Sequence, residues 1–496
     1  MANLFEKQFK IALLSIFVAE VFSLLGYFFP AINKFGFLVL ILAALILAIH
    51  KLEYGIWIVL AELFIGSKGY LFFFEHDMFT VSIRIALWLI IMLVWSGKKI
   101  LHFRQNKISF FNSRFFPYFS VLFIFIGWGL INGFLSKNSL GNIFFVFNGW
   151  LYFALIFPIY DVFLKEKRGQ ISTLIQIFTA SALWLCLKTF VLLYLFSHNI
   201  GLLEIYRWIR NTGIGEITQK QGGFYRIFIQ SHLFVLILFF LSLTLIFNNL
   251  KAGVLRNKGN LLVLFLSLFS LTTILIGFSR TFWVGLVVGL LGLYSYFIIN
   301  KAKLKELASF TGVLLGVAVL SVGLVALLVK FPYPDPLGGF NTRDLFSERA
   351  SQFSGEAGVS SRWALLPSLA KEIKAAPVLG KGFGSTATYK SSDPRVLSVD
   401  PSGEYTTYAF EWGWFDIWLK LGLLGFLTYA FLIFRIFAAG LQLDNLLITG
   451  FIFGLLVLSA VNFFSPYSNH PLGIGFLMII SVIIDKIKTE AAAPIA

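Results

Sequence analysis

Apolar runs of membrane-spanning size recur from one end of the chain to the other, separated by short polar breaks. They fall near 11–29, 36–50, 54–66, 79–96, 115–135, 141–164, 171–196, 227–248, 261–279, 282–300, 306–330, 408–436, 445–463 and 471–485. A helix needs roughly 20 mostly apolar residues to cross a bilayer. Runs this long, with no polar face, belong in lipid or in the core of a large bundle. The pattern predicts an all-α, polytopic membrane bundle of about 12–14 spans, because the short runs 36–50 and 54–66 leave room for a tilted, re-entrant or merged pair. No small-residue cleavage site follows the first run, so it reads as a signal anchor.

Composition narrows the class. Of 496 residues, 58% are apolar and 13% charged, about half the charge of an ordinary soluble domain. That excludes a water-soluble enzyme, a disordered chain and a coiled coil. The single cysteine, Cys186, cannot form an internal disulfide. The formal charge of +16 raises nucleic-acid binding as a reading, but the basic residues sit in short loops between spans. Lys98, Lys99, Arg104, Lys107 and Arg114 share one loop, and Lys165, Lys167 and Arg168 the next alternate one. Lys251, Arg256 and Lys258 follow, then Lys301, Lys303 and Lys305. If the spans alternate, all lie on one side, together with Lys7 and Lys10 near the N-terminus and Lys486 and Lys488 near the C-terminus. The positive-inside rule makes that side cytoplasmic. The expected location is the cytoplasmic membrane, multi-pass, with both termini inside and no nucleic-acid partner.

The opposite side holds two long connections, about 197–226 and 331–407. The layout is therefore membrane helices over 1–330, an extracytoplasmic loop over 331–407, and membrane helices with a short tail over 408–496. The loop starts as irregular backbone at PYPDPLGG. Residues 362–376 read as an amphipathic helix with Trp363, Leu366, Leu369 and Ile373 on one stripe, able to lie at the membrane surface. The spans show no internal repeat, which counts against an alternating-access transporter.

Charges at the membrane edge are costly and so informative. Arg226, in GGFYRIFIQSH, stands where a span begins; Arg280, in GFSRTFWVG, stands in a tight turn between two spans. Arg362 lies in SSRWALLPSLAKEIKAAPVLGKGFGS, and Glu411 in YAFEWGWFDIWLKLGLLG, where the chain re-enters the membrane. All four fall at one depth on the outer face. Three guanidiniums and a carboxylate there suggest a site for an anionic headgroup, since the arginine fork suits phosphate; the competing reading is helix anchoring or lipid pairing. Lys188 lies within an apolar run, so it pairs with Glu20 or Glu62, or snorkels to the outer cavity.

Weaker signals remain. The pairs Gly285/Gly289 and Gly312/Gly316 read as close helix packing. Gly380, Gly382 and Gly384 resemble a phosphate loop only superficially, with no strand before them, and read as a tight turn beside a ligand or another backbone. Glu75, His76 and Asp77 adjoin, but His232 and His470 are too scattered to complete a metal site with them. No metal and no cofactor are expected; His232, like Lys188, is retained as an accessory residue of the outer site.

At this point the motifs resemble a family. FSRTFWVGLVVGLLGLY, SSRWALLPSLAKEIKAAPVLGKGFGS and EWGWFDIWLKLGLLG are similar, in order and spacing over roughly 220–440, to segments of the O-antigen ligase and O-antigen polymerase superfamily. Many ligases carry His-Asn eleven residues before the first glycine of GLLG; here that position is Glu411, followed by Trp412. The sequence looks more like the branch with E-x-x-x-x-D, in this chain Glu411 and Asp416. The resemblance implies a metal-independent glycosyltransferase of the C-type membrane fold. Its donor would be a glycan on polyprenyl (undecaprenyl) pyrophosphate, and its acceptor a hydroxyl on a second lipid-linked glycan, a lipid core or a protein, in the biosynthesis of surface polysaccharide for the cell envelope. Under that implication Glu411 is the base, Arg226, Arg280 and Arg362 receive the pyrophosphate or glycan, Asp416 orients a neighbour or binds acceptor hydroxyls, and displacement inverts the anomeric centre. Trp412, Trp414 and Trp418 stack on sugars or mark the interfacial aromatic belt. A flippase or other transporter of lipid-linked glycans, and a non-catalytic envelope-assembly protein, are the competing readings.

Overall fold

The computed structural model describes residues 4–76, 79–101, 107–165, 169–200, 203–253, 258–341, 357–443 and 445–492. The N-terminal part runs α1 (Lys7–Phe28), α2 (Pro30–His50), α3 (Leu52–Ile65), a hairpin of β1 (Phe73–His76) and β2 (Phe79–Ser82), α4 (Ile83–Leu101) and α5 (Phe116–Leu135). Next come α6 (Leu140–Leu151) and α7 (Ile156–Lys165), joined by a 3-10 turn, then α8 (Gln170–Ser197), α9 (Leu203–Asn211) and a hairpin of β3 (Gly215–Gln219) and β4 (Tyr225–Ile229). The long helices resume with α10 (His232–Lys251), α11 (Lys258–Gly277), α12 (Arg280–Ile299) and α13 (Leu304–Lys330). The long connection after α13 contributes α14 (Ala357–Ala375), β5 (Ala387–Lys390), α15 (Pro394–Leu397) and β6 (Glu404–Thr407). The chain closes with α16 (Gly413–Leu441), α17 (Leu446–Val461) and α18 (Pro471–Ala492).

The protein is a polytopic all-α membrane bundle: each predicted span contains a helix, and among the described residues ten helices are long and apolar enough to cross a membrane. Of the short runs, the first extends to a 21-residue helix, α2, and the second stays at 14 residues, α3. Helix α10 has no polar face and is enclosed on all sides, packing on α8, α11 and α17. Outer helices expose their apolar side chains instead, as at Leu14, Ile46 and Val319, which only a lipid surroundings makes stable.

Side-chain bonds gather the basic loops at one end of the bundle. Lys98 donates to the Ala48 carbonyl at the end of α2 (2.9 Å), Lys99 pairs with Asp161 (2.6 Å), and Arg114 with Asp485 (2.5 Å). Arg104, Asp77, Lys167, Arg168 and Arg256 lie outside the described residues, as does the side chain of Lys258. The other end carries the three hairpins and the long loops.

Buried charges inside the bundle are paired. Lys188 bonds Glu20 (2.6 Å), one of the two partners left open by the sequence, and lies over the Trp208 ring. Glu62 instead takes Arg84 through two bonds of 2.9 and 3.0 Å. The two GxxxG pairs part company. A Cβ on Gly289 would meet Phe240 at 2.3 Å and Val457 at 2.5 Å, whereas Gly312 and Gly316 have nothing within 4 Å. The first pair lets α12 approach α10 and α17, and the second faces away from other chain.

Three local expectations are corrected. Arg226 does not begin a span: it sits on β4, and the helix starts at His232, because alternating Tyr225, Ile227 and Ile229 with polar Arg226 suit a half-buried strand. The run 79–96 likewise opens as strand β2 before α4. The amphipathic helix spans 357–375 and buries Leu365, Leu369 and Ile373, while Trp363 is exposed over 57% of its surface. The buried stripe follows i, i+4, i+8, so Leu365 takes the place assigned to Trp363.

Candidate active site

The connection between α13 and α16 is built as a small lobe, whose core of Leu365, Leu369, Ile373, Ala387, Phe410, Trp412 and Leu419 takes in the start of α16. Three glycines fasten it to the bundle. Gly380, Gly382 and Gly384 all have φ between +71° and +78°, a region that costs any other residue. A Cβ on Gly380 would stand 2.5 Å from the Gly422 nitrogen, one on Gly382 2.1 Å from the Gly133 nitrogen, and one on Gly384 2.8 Å from the Ile143 nitrogen. This strip therefore threads against the backbones of α5, α6 and α16, one of the two roles read from its spacing. Its own backbone is satisfied by Lys381 N to Leu419 O (2.7 Å), Phe383 N to Gly129 O (2.8 Å) and Asn132 Nδ2 to Gly380 O (2.8 Å). Opposite it, Gly422 (φ 74°, ψ 175°) breaks α16 after its first turns.

That short N-terminal piece of α16 carries Glu411 just before its start. Glu411 is about half exposed and ion-paired with Arg362 of α14. Trp412 Nε1 donates to the Arg362 carbonyl (2.9 Å), so the backbone repeats the link. Gly413 lies against Asn462, where a Cβ would meet its carbonyl oxygen at 2.5 Å. Lys420 Nζ reaches back to the Tyr408 carbonyl (3.0 Å) and pairs with Asp416 (2.5 Å). Asp416 also accepts from Asn469 and is buried. It therefore faces no open cavity.

Above Glu411 opens a cleft of about 580 Å³ between α14 and the β5–β6 hairpin, lined among others by Arg362, Tyr389, Asp393, Glu404 and Tyr405. Burial pushes the Tyr389 phenol above its ordinary value, with Glu411 adding in the same direction against a bond to Ser391; the hydroxyl stays a donor at physiological pH. Below Glu411, Trp414, Phe415 and Trp418 line an apolar groove of about 560 Å³ with Val284 and Val288 of α12 and Phe463 and Phe464. Trp414 and Trp418 spend their N–H groups on the Ser459 and Pro377 carbonyls (3.0 and 2.9 Å), and Trp418 stacks on Phe426 with ring centroids 5.8 Å apart.

The other two arginines share one turn. Arg226 Nε donates to the Gly277 carbonyl (3.1 Å), and its guanidinium lies 5.0 Å from the Phe228 ring centroid and 3.7 Å from Glu216. Arg280 opens α12 three residues later, with its Nε and Nη1 shielded from solvent. Val284 and Val288 continue its helical face at i+4 and i+8 into the apolar groove. Phe228–Phe282 and Phe282–Tyr467 ring contacts, at 5.6 and 6.1 Å, run from the Arg226 strand to the 462–470 loop that also holds Gly413 and Asn469. The structure thus ties Arg226 to the 277–280 turn that leads into Arg280, and ion-pairs Arg362 with Glu411.

Residues 265–430 match the family model described as O-antigen ligase. Over that stretch the chain carries an O-antigen ligase domain, which supports the superfamily resemblance read from its motifs. The match covers Arg280, Arg362, Glu411 and Asp416, and leaves Arg226 outside. The superfamily comprises membrane glycan ligases and polymerases, which transfer glycosyl groups between lipid-linked glycans and acceptors. No curated protein and no solved structure matches this chain.

Of the two accessory candidates, Lys188 is held by Glu20. His232 is fully buried against the Arg226 strand: Ile229 N donates to its Nδ1 (3.4 Å), a Cβ on Gly277 would stand 3.5 Å from that nitrogen, and its Nε2 lies 2.9 Å from Thr189 Oγ1. Glu75 and His76 lie on the exposed edge of β1. Sequence reasoning missed Lys420, Asn469, Tyr389 and Tyr405. A lysine four residues after Asp416 was the one visible signal; the tyrosines become neighbours only through the hairpin register.

Proposed function

We propose that this protein transfers a glycan from a polyprenyl-pyrophosphate carrier to an acceptor hydroxyl at the outer face of the cytoplasmic membrane, in the manner of an O-antigen polymerase or ligase. One observation carries the proposal: Glu411 stands at the boundary between a polar cleft and an apolar groove, with Trp414 only three residues away on the groove side. A reaction between a lipid-borne donor and a glycan acceptor needs its base at such a boundary.

In this reading the groove takes the first isoprene units of the carrier, and Arg280, at the head of the helix that forms one groove wall, takes the pyrophosphate with Arg226. The acceptor oxygen attacks the anomeric carbon as the bond from that carbon to the pyrophosphate oxygen breaks. The acceptor proton passes to the Glu411 carboxylate. Negative charge developing on the leaving pyrophosphate is met by fixed guanidiniums, worth far more in a site shielded from water than in bulk solvent. Arg362 holds the carboxylate in place from the loop side. Direct displacement inverts the anomeric centre, and no step calls for a metal. The flippase alternative gains no support from the intramembrane charges, because Lys188 and Arg84 are bound to Glu20 and Glu62.

The test is turnover by the purified protein reconstituted with lipid-linked glycan. Glu411→Gln is expected to lose about 10²–10⁴ in rate, the usual contribution of a general base. Arg280→Ala is expected to lose about 10²–10³, as when one charge-stabilising donor is removed. Wild-type turnover in both folded variants sinks the proposal.

A further inference from the structure

We infer that Phe278 is a positioning residue for the donor side of the transfer: aromatic rings hold it in a backbone conformation unsuited to phenylalanine, and the turn so fixed sets where Arg280 stands relative to Arg226. The inference rests on the proposed reading of Arg280 as a partner of the leaving pyrophosphate.

Two residues, Phe278 and Ser279, separate α11 from α12. Helices joined this closely commonly pair as a hairpin. Here α11 packs on α8, α10 and α13, while α12 packs on α17 and α10. The chain is redirected at Phe278, whose φ of +47° lies in the left-handed region. That region crowds any residue with a Cβ and is rare for a bulky one, whereas glycine takes it freely. Lys137, Asn199 and Lys301 adopt it after α5, α8 and α12, each with an exposed side chain. Phe278 is instead 2% exposed.

Its ring explains why the conformation persists. It packs on Phe224, at the turn of the β3–β4 hairpin, with centroids 5.7 Å apart, and meets Trp283, in the first turn of α12, edge-on at 5.2 Å. Phe224 in turn stacks on Phe340, from the segment after α13, at 6.1 Å. One side chain thus joins the hairpin that carries Arg226 to the helix that Arg280 opens. The two arginines are placed from either side of it. The Gly277 carbonyl, one residue before, accepts from Arg226 Nε (3.1 Å), and Arg280, two residues after, begins α12. Strained backbone of this kind concentrates where function needs a fixed geometry. Relaxing φ at residue 278 would let the Gly277 carbonyl and the first turn of α12 move apart, and with them the two guanidiniums that must meet one pyrophosphate.

The test is a double-mutant cycle on the full-length protein in nanodiscs. It is read as the dissociation constant for inorganic pyrophosphate and as kcat on lipid-linked glycan extracted from cells lacking the protein. Arg280→Ala is expected to weaken pyrophosphate binding at least about tenfold, the size of a lost charge-assisted hydrogen bond. Phe278→Gly is expected to lower kcat about 10- to 100-fold, as misplacement by about an ångström does, and to weaken pyrophosphate binding at least about threefold. In the Arg280→Ala background it should change either quantity by less than about twofold, because its effect runs through that arginine. Phe224→Leu loosens the same ring contact without altering the turn, and carries the test should Phe278→Gly fail to fold, as judged by melting temperature. It is expected to lower kcat at least about threefold, and less than about twofold once Arg280 is alanine. Wild-type kcat and pyrophosphate affinity in folded Phe278→Gly, or losses of equal size with and without Arg280, overturn the inference and leave Phe278 a packing residue. If Arg280→Ala itself changes neither quantity, the reading of that arginine fails and this inference with it, so the single variant tells the two failures apart.

Discussion

Lys420 and Asp416 form a buried brace a few residues after Glu411. The pair is buried, lies one helical turn apart on α16, and is tied to Tyr408 on one side and Asn469 on the other. Breaking a buried pair by removing one partner leaves an uncompensated charge, at a cost of about 3–5 kcal/mol. Lys420→Met is therefore expected to lower the thermal stability of the detergent-solubilised protein and release the segment leading to Glu411. Combining it with Asp416→Leu should recover much of the loss, because an apolar pair of similar volume removes the stranded charge; equal stability of the single and double variants would contradict this. In the sequence Asp416 read as a residue that orients a neighbour or binds acceptor hydroxyls, and Lys420, four residues on, was the partner that went unread. Its burial was not legible, since it depends on Asn469 arriving from the far side of α17.

At the scale of elements, the glycine strip 380–384 and the break at Gly422 fix how the outer lobe sits on the bundle. Gly382→Ala puts a Cβ 2.1 Å from the Gly133 nitrogen at φ +76°, so backbone strain alone costs about 1–3 kcal/mol and the clash adds to it. Gly312→Ala meets nothing within 4 Å and should instead stabilise its helix by about 0.5–1 kcal/mol. Thermal aggregation of the two variants in one detergent checks both signs, and a tolerated Gly382→Ala would refute the docking described for the lobe. The sequence showed that these glycines approach something closely, but a ligand and a backbone leave the same mark on spacing. The hairpins were hidden for a related reason. Strands of four or five residues flanked by long apolar helices carry too few alternations to stand out, so Arg226 read as a helix start when it is a strand residue.

For the whole molecule, the helical register and the alternation of basic loops were readable because each span repeats the same physical demand, an apolar surface long enough to meet lipid. The superfamily was readable in three motifs that fall in or beside the lobe. What was not readable is the convergence of α12, α14, α16 and the 462–470 loop, which depends on contacts between distant segments. Orientation has a direct test. On the proposed topology, Ser402→Cys in the hairpin loop should react with a membrane-impermeant maleimide in intact spheroplasts, Asn300→Cys should react only after permeabilisation, and the buried native Cys186 should stay silent. The reverse pattern would invert the topology and remove Glu411 from the outer face.

The most direct test of the central claim is glycan chain length in cells expressing Glu411→Gln, compared with wild type and with a deletion, at matched membrane levels of protein. The account predicts that mature long-chain product disappears as in the deletion. Single lipid-linked units would persist if the enzyme polymerises, and carrier-bound polymer would accumulate if it ligates. A wild-type glycan profile would contradict it, leaving the Glu411–Arg362 pair as a brace between the outer lobe and the bundle.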